Sequence, residues 1–174
     1  MSLRKILFGT GMIAVLFYVI HVLVGGFLWE GYNHLHQPIS DLTAAGAPDK
    51  SSMLVLTTIY GILALIFALS FTILESGKHK KVAVWGGIMF CIMHLISLSY
   101  GLFPQDLPGH EPTFGGVMHI VVTALIVPFT ILSPILIGFG LMKNQTWKSF
   151  GVYSVITGFS DSDFRQLMRY FLCK

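Results

Sequence analysis

Charge is what this sequence lacks most. Only 11% of its 174 residues are Asp, Glu, Lys or Arg, against 54% apolar, whereas a soluble domain carries about a quarter charged residues. With a mean hydropathy of +0.75, a water-soluble fold is excluded. Cysteine is nearly absent as well. Cys91 lies inside an apolar run and Cys173 at the extreme C-terminus, an arrangement that offers neither a disulfide framework nor a thiolate pair for a metal. Apolar–polar alternation is also missing. Runs such as LVLTTIYGILALIFALSFTIL, residues 54–74, are continuous, the opposite of the pattern a transmembrane β-barrel requires. The chain has no Gly-rich phosphate loop, no nucleophile elbow and no HExxH pair, which removes the sharpest enzyme signatures.

What is present is apolar sequence in lengths set by a bilayer, whose hydrocarbon core of about 30 Å takes about 20 helical residues to cross. Arg4 and Lys5 precede a run over 6–29 that reaches roughly 36 Å at 1.5 Å per residue. Because the apolar part of a signal peptide is only about 7–15 residues, this run reads as an uncleaved first span. Further spans are expected over 53–74, 82–103 and 115–141. The last contains Pro128 and Pro134, so a kink is expected there. A fifth apolar start over 150–159 is too short to cross alone. It leads into an atypical tail over 159–174, FSDSDFRQLMRYFLCK, which reads either as an interfacial amphipathic helix or as a truncated or frame-shifted end. The expected fold is all-α, a polytopic transmembrane helical bundle forming one domain over 1–158.

The few cations are unevenly placed. Arg4 and Lys5 precede the first span, Lys78, Lys80 and Lys81 separate the second from the third, and Lys143 and Lys148 follow the fourth. Lys50 is the sole cation of the first loop, and the third loop has none. The positive-inside rule then places the N-terminus in the cytoplasm, where Asn144-Gln145-Thr146 would be inert as a glycosylation acceptor. The same rule accounts for the net charge of +3 without invoking nucleic acid. The lipid bilayer is the partner this composition implies, and protein partners stay open.

Between the first two spans lies the most polar interval, HLHQPISDLTAAGAP over 34–48. Ser40 is a good N-cap, Gly46 a good stop and Pro48 a barrier to continuation, so a short helical turn is expected over 41–45, with Ser51 and Ser52 capping the second span. Seven histidines are also present. His21, His94 and His119 fall in the outer halves of spans one, three and four, roughly 12, 14 and 6 Å below the outer helix ends. His34, His36 and His110 lie in outer loops, and His79 alone lies inside. Three imidazoles with Asp41 and Asp106 above them suit Zn²⁺ binding with activation of a water, or a proton relay. A facing His21–His94 pair would instead suit the axial positions of a haem. The plainer alternatives are a histidine hydrogen-bonded to a neighbouring helix, an acid beside a helix cap for Asp41 and a turn former for Asp106.

At QPISDLTAAGAP, and again at SYGLFPQDLPG followed by MHIVVTALIVPFTILSP, the chain resembles the bacterial membrane family known as domain of unknown function 998, over residues 1 to about 158. The resemblance implies a plasma-membrane protein of roughly six helices, with Pro38, Ser40, Asp41, Asp106 and His119 in its recurrent motifs. It implies no activity. The end departs from the family, whose members continue from a segment like FGVYSVITG into further apolar spans.

Two functional classes follow. One is a non-enzymatic membrane component, a small transporter or partner subunit, in which the histidines pack or relay protons. The alternative is a metal-dependent hydrolase of a lipid or envelope intermediate at the outer face, with His21, His94 and His119 as ligands and Asp41 or Asp106 as base.

Overall fold

The computed structural model describes residues 3–77 and 81–160. His79 lies outside the described residues. So does the tail beyond Ser160, and with it both readings of the C-terminal end. The order of elements is α1 (Leu3–Leu28), a 3-10 turn (Ile39–Thr43), α2 (Lys50–Ser76), α3 (Lys81–Ser97), a 3-10 turn (Leu98–Gly101), α4 (Phe114–Met142), a 3-10 turn (Gln145–Trp147) and α5 (Lys148–Phe159). Among the described residues the β structure is limited to an isolated parallel bridge between Ala45 and Asp106. The fold is therefore the expected all-α bundle. Four helical stretches, Lys5–Leu28, Lys50–Ser76, Lys81–Gly101 and Phe114–Met142, are long and apolar enough to cross a membrane.

Helix boundaries differ from expectation where a backbone group replaces the anticipated cap. The Met53 N–H donates to the Asp49 carbonyl at 3.1 Å, so α2 is already under way at Lys50. Ser51 and Ser52 lie in its first turn rather than ahead of it. Pro128 and Pro134 both sit inside α4 without ending it, which a membrane helix tolerates. α5 has 12 residues, about 18 Å of helix, shorter than the hydrocarbon core.

The chain divides into two compact units, one from 1–64 with 97–122 and the other from 65–96 with 123 onward. The second is packed through glycines. A Cβ on Gly86 of α3 would stand 2.6 Å from the Ile137 nitrogen of α4, one on Gly140 of α4 2.6 Å from the Ala83 nitrogen, and one on Gly138 2.5 Å from the Gly151 carbonyl of α5. Without a hydrophobic force to join helices in lipid, such close backbone approach is what holds them. Gly140→Leu should therefore lower unfolding stability in micelles by about 1–3 kcal/mol. Gly9→Leu, at a position with nothing within 4 Å, should leave it unchanged. Equal melting midpoints for the two variants would refute this packing.

Candidate functional site

The polar centre of the first unit is the 3-10 turn Ile39–Thr43. Pro38 precedes it in extended conformation and caps it without a side-chain bond, its fixed φ suiting the entry. The Asp41 N–H closes the turn on the Pro38 carbonyl at 3.1 Å. The expected helical turn over 41–45 with Ser40 as cap is thus corrected. The turn starts two residues earlier, and the Ser40 hydroxyl donates instead to Gln105 Oε1. Gly46, at φ +91°, occupies the left-handed region that favours glycine and carries the chain toward α2.

Leu42 anchors this turn. It covers Gly25 of α1, where a Cβ would stand 3.0 Å from Leu42 and 2.8 Å from the Met53 sulfur. Docking Leu42 there draws its neighbour Asp41 fully out of solvent, to 0% exposure. Gln105, from the loop between α3 and α4, meets the buried acid. Its Nε2 donates to Asp41 Oδ1 at 2.9 Å, and its backbone carbonyl accepts from the Ala45 N–H at 2.8 Å. Two loops are thereby joined through one side chain and one backbone bridge.

Asp41 Oδ2 has no hydrogen-bond partner. Burial pushes the Asp41 carboxyl above the ordinary carboxylate range, with the Gln37 side-chain amide opposing the shift. Tyr32, whose hydroxyl donates to the Pro38 carbonyl at 3.1 Å, is also raised, first by burial, then by the negative charge of Asp41 and by Tyr18.

Asp106 is committed differently. Its two carboxylate oxygens accept from the Thr113 N–H at 2.8 Å and the Thr113 hydroxyl at 2.7 Å, and these bonds hold its carboxyl below the usual range, with His110 and His119 adding to the effect. Thr113 Oγ1 accepts from the Gly116 N–H at 3.1 Å, the bond of an N-cap. Asp106 therefore braces the start of α4. His119 Nδ1 lies 2.9 Å from the Phe103 carbonyl, and its ring centroid is 4.6 Å from that of Tyr100.

His21 is 2% exposed, and neither of its ring nitrogens has a hydrogen-bond partner. The ring of Tyr18 lies 6.2 Å away. His94 belongs to the second unit, where it meets Phe90 edge-on at 4.6 Å. No group of three or more His, Cys, Asp and Glu side chains placed to hold a metal ion occurs among the described residues. In the loop between α1 and α2, His34 lies over Gly26, whose Cβ would touch its ring, and stands T-shaped against Tyr32.

Asp41, Asp106, His21 and His119 thus share one unit, and His94 lies in the other. Sequence reasoning missed Gln105, Tyr32 and Thr113. For Gln105 a signal existed, an amide beside Asp106 in a loop expected on the same face as residues 34–48. A residue interval of 64 between Gln105 and Asp41 leaves no local trace.

Membrane-length helices, with a buried acid clasped between two of their loops, define a multi-spanning helical membrane protein. Residues 12–160 match the family described as protein of unknown function (DUF998), and the chain belongs to that family. Comparison with curated proteins and with solved structures gave no match.

Proposed function

We propose that the protein is a non-enzymatic membrane component of the small-transporter kind, seated in a bacterial plasma membrane with its N-terminus in the cytoplasm, and that the Asp41 cluster handles its solute. The observation that carries this reading is the complete burial of Asp41 with one carboxylate oxygen unpartnered. Removing a carboxylate from water without a cation to offset it costs several kcal/mol, and an apolar side chain would dock the turn on α1 without that penalty. A buried ionisable group kept at such a cost is a candidate functional group, by the same argument that applies to one inside a membrane span. The orientation rests on the cation-rich segments around Arg4, Lys81 and Lys148 and the positive-inside rule.

The test is electrical. Proteoliposomes on a solid-supported membrane are exposed to jumps in pH, Na⁺, K⁺ and small organic ions. The wild-type protein should give a transient current with at least one of these, and Asp41→Asn should lose it while keeping its melting midpoint. A wild-type protein silent to every jump would refute the reading. Zn²⁺-dependent cleavage of a lipid substrate would replace it with the hydrolase.

A further inference from the structure

We infer that the end of the second unit that carries Lys81, Lys143 and Lys148 binds the phosphodiester headgroups of anionic membrane lipids, with Trp85 and Trp147 beside them at headgroup depth. The inference goes beyond the reading of the Asp41 cluster, which lies in the first unit, and neither depends on the other.

Close backbone approaches bring the three lysines to one end. A Cβ on Gly86 of α3 would meet the Ile137 nitrogen of α4, and one on Gly140 of α4 would meet the Ala83 nitrogen of α3. Residues rising along α3 thus face residues falling along α4, and the start of the first lies beside the end of the second. Lys81 stands two residues before Ala83, about 3 Å of helix, and Lys143 directly follows the last residue of α4. α5 folds back along α4 in the same sense. A Cβ on Gly151 would stand 2.7 Å from Met142 Cγ, and one on Gly158 2.6 Å from Ile135 Cγ1. Lys148, at the head of α5, therefore returns to the same end.

The charge there is one-sided. All three lysines are exposed, whereas Glu75, the only carboxylate among the described residues of this unit, is 4% exposed. In sequence, Lys78 and Lys80 precede Lys81. Aromatic surface flanks the cations. Trp85 follows Lys81 by four residues, which puts both on one face of α3, and it is 60% exposed. Trp147, 51% exposed, begins a row that continues through Phe150 and Tyr153, with 6.2 Å between ring centroids at each step. Trp and Tyr favour the headgroup level of a bilayer, and a lysine there lays its stem on apolar surface while its ammonium reaches the phosphates. A soluble anion would match the lysines and leave the row of rings uncovered. A lipid meets both, its phosphate on the cations and its acyl chain on the rings.

Headgroup selection is read from tryptophan quenching in vesicles. In a Trp29→Phe background only Trp85 and Trp147 report. Phosphatidylglycerol brominated near the headgroup should bind beside them about fivefold or more tightly than phosphatidylcholine brominated alike, since one juxtamembrane lysine near an anionic surface is worth about that factor. The ratio should fall toward unity in about 1 M NaCl, where screening acts within about 3 Å. Lys81→Gln, Lys143→Gln and Lys148→Gln combined should remove most of the preference while quenching by phosphatidylcholine persists, which reports a variant still folded in the bilayer. The three Lys→Arg changes should keep the preference, and Lys50→Gln, at the far end of α2, should leave it unchanged. A wild-type ratio near unity overturns the inference and leaves these lysines a role in setting topology alone. A preference undiminished in the triple Gln variant also overturns it, as do tryptophans quenched by aqueous iodide and by neither lipid.

Discussion

Wild type should gain stability relative to Asp41→Asn as the pH falls. The sign follows from burial. Asp41 has its folded-state equilibrium raised above that of an unfolded aspartate, so the folded state holds its proton at pH values where the unfolded state has released it. Stability then falls as pH rises from the ordinary aspartate value of about 3.9 to the raised folded value, and stays low above it. Each tenfold displacement of that equilibrium is worth about 1.4 kcal/mol. The asparagine of the variant cannot ionise and keeps an oxygen for Gln105 Nε2, so the variant should lack the Asp41 step and match or exceed wild type at neutral pH. Asp106 works in the opposite direction. Its carboxyl is held low, so its contribution is lost only as pH falls through a value below the ordinary range. The two effects separate on the pH axis. The difference in thermal unfolding between wild type and Asp41→Asn in nanodiscs from about pH 4 to about pH 8 measures the Asp41 effect, and an extension to more acid pH reaches that of Asp106. A wild-type profile parallel to that of Asp41→Asn would refute the account.

The membrane architecture was legible because a bilayer imposes a length, and continuous apolar runs over 6–29, 53–74, 82–103 and 115–141 satisfy it with no reference to tertiary contacts. Their ends were less so. Lys50 and Ser51 look like loop residues by composition, yet the Asp49 carbonyl starts the helix ahead of them. The importance of the interval 34–48 was also visible, from its polar and cappable residues. Its geometry was not, since Ser40 is a cap by local rules and a partner of Gln105 in the fold. Local rules can rank Asp41 as a helix-end acid but cannot see that Leu42 must cover Gly25 of α1, and it is this docking that buries the carboxylate. For Asp106 the local rule came close. It serves a chain turn, though by bracing Thr113 at the head of α4 rather than by closing a turn on itself.

Gln105 is where the site can be broken with the largest effect. Its side chain accepts from Ser40 and donates to Asp41, so Gln105→Ala strips the buried Asp41 carboxylate of its Gln105 bond. Leaving a buried acceptor unpaired costs about 1–3 kcal/mol. The backbone bond from the Ala45 N–H to residue 105 survives the substitution, so the loops should stay paired but exchange faster. Hydrogen exchange over 39–47 should rise while that of α3 and α4 in the second unit stays the same. Gln105→Glu makes a sharper case. When either carboxyl is protonated, its O–H can supply the missing donor and the contact holds. When both are ionised, two like charges face each other at hydrogen-bond distance with one of them fully buried, an arrangement in which the pair titrates as a unit and one proton is retained to high pH. Gln105→Glu should therefore be close to wild type in acid and lose far more stability than Gln105→Ala above neutrality. A Gln105→Glu profile that tracks Gln105→Ala at every pH would mean that Asp41 is not held against residue 105 in the membrane.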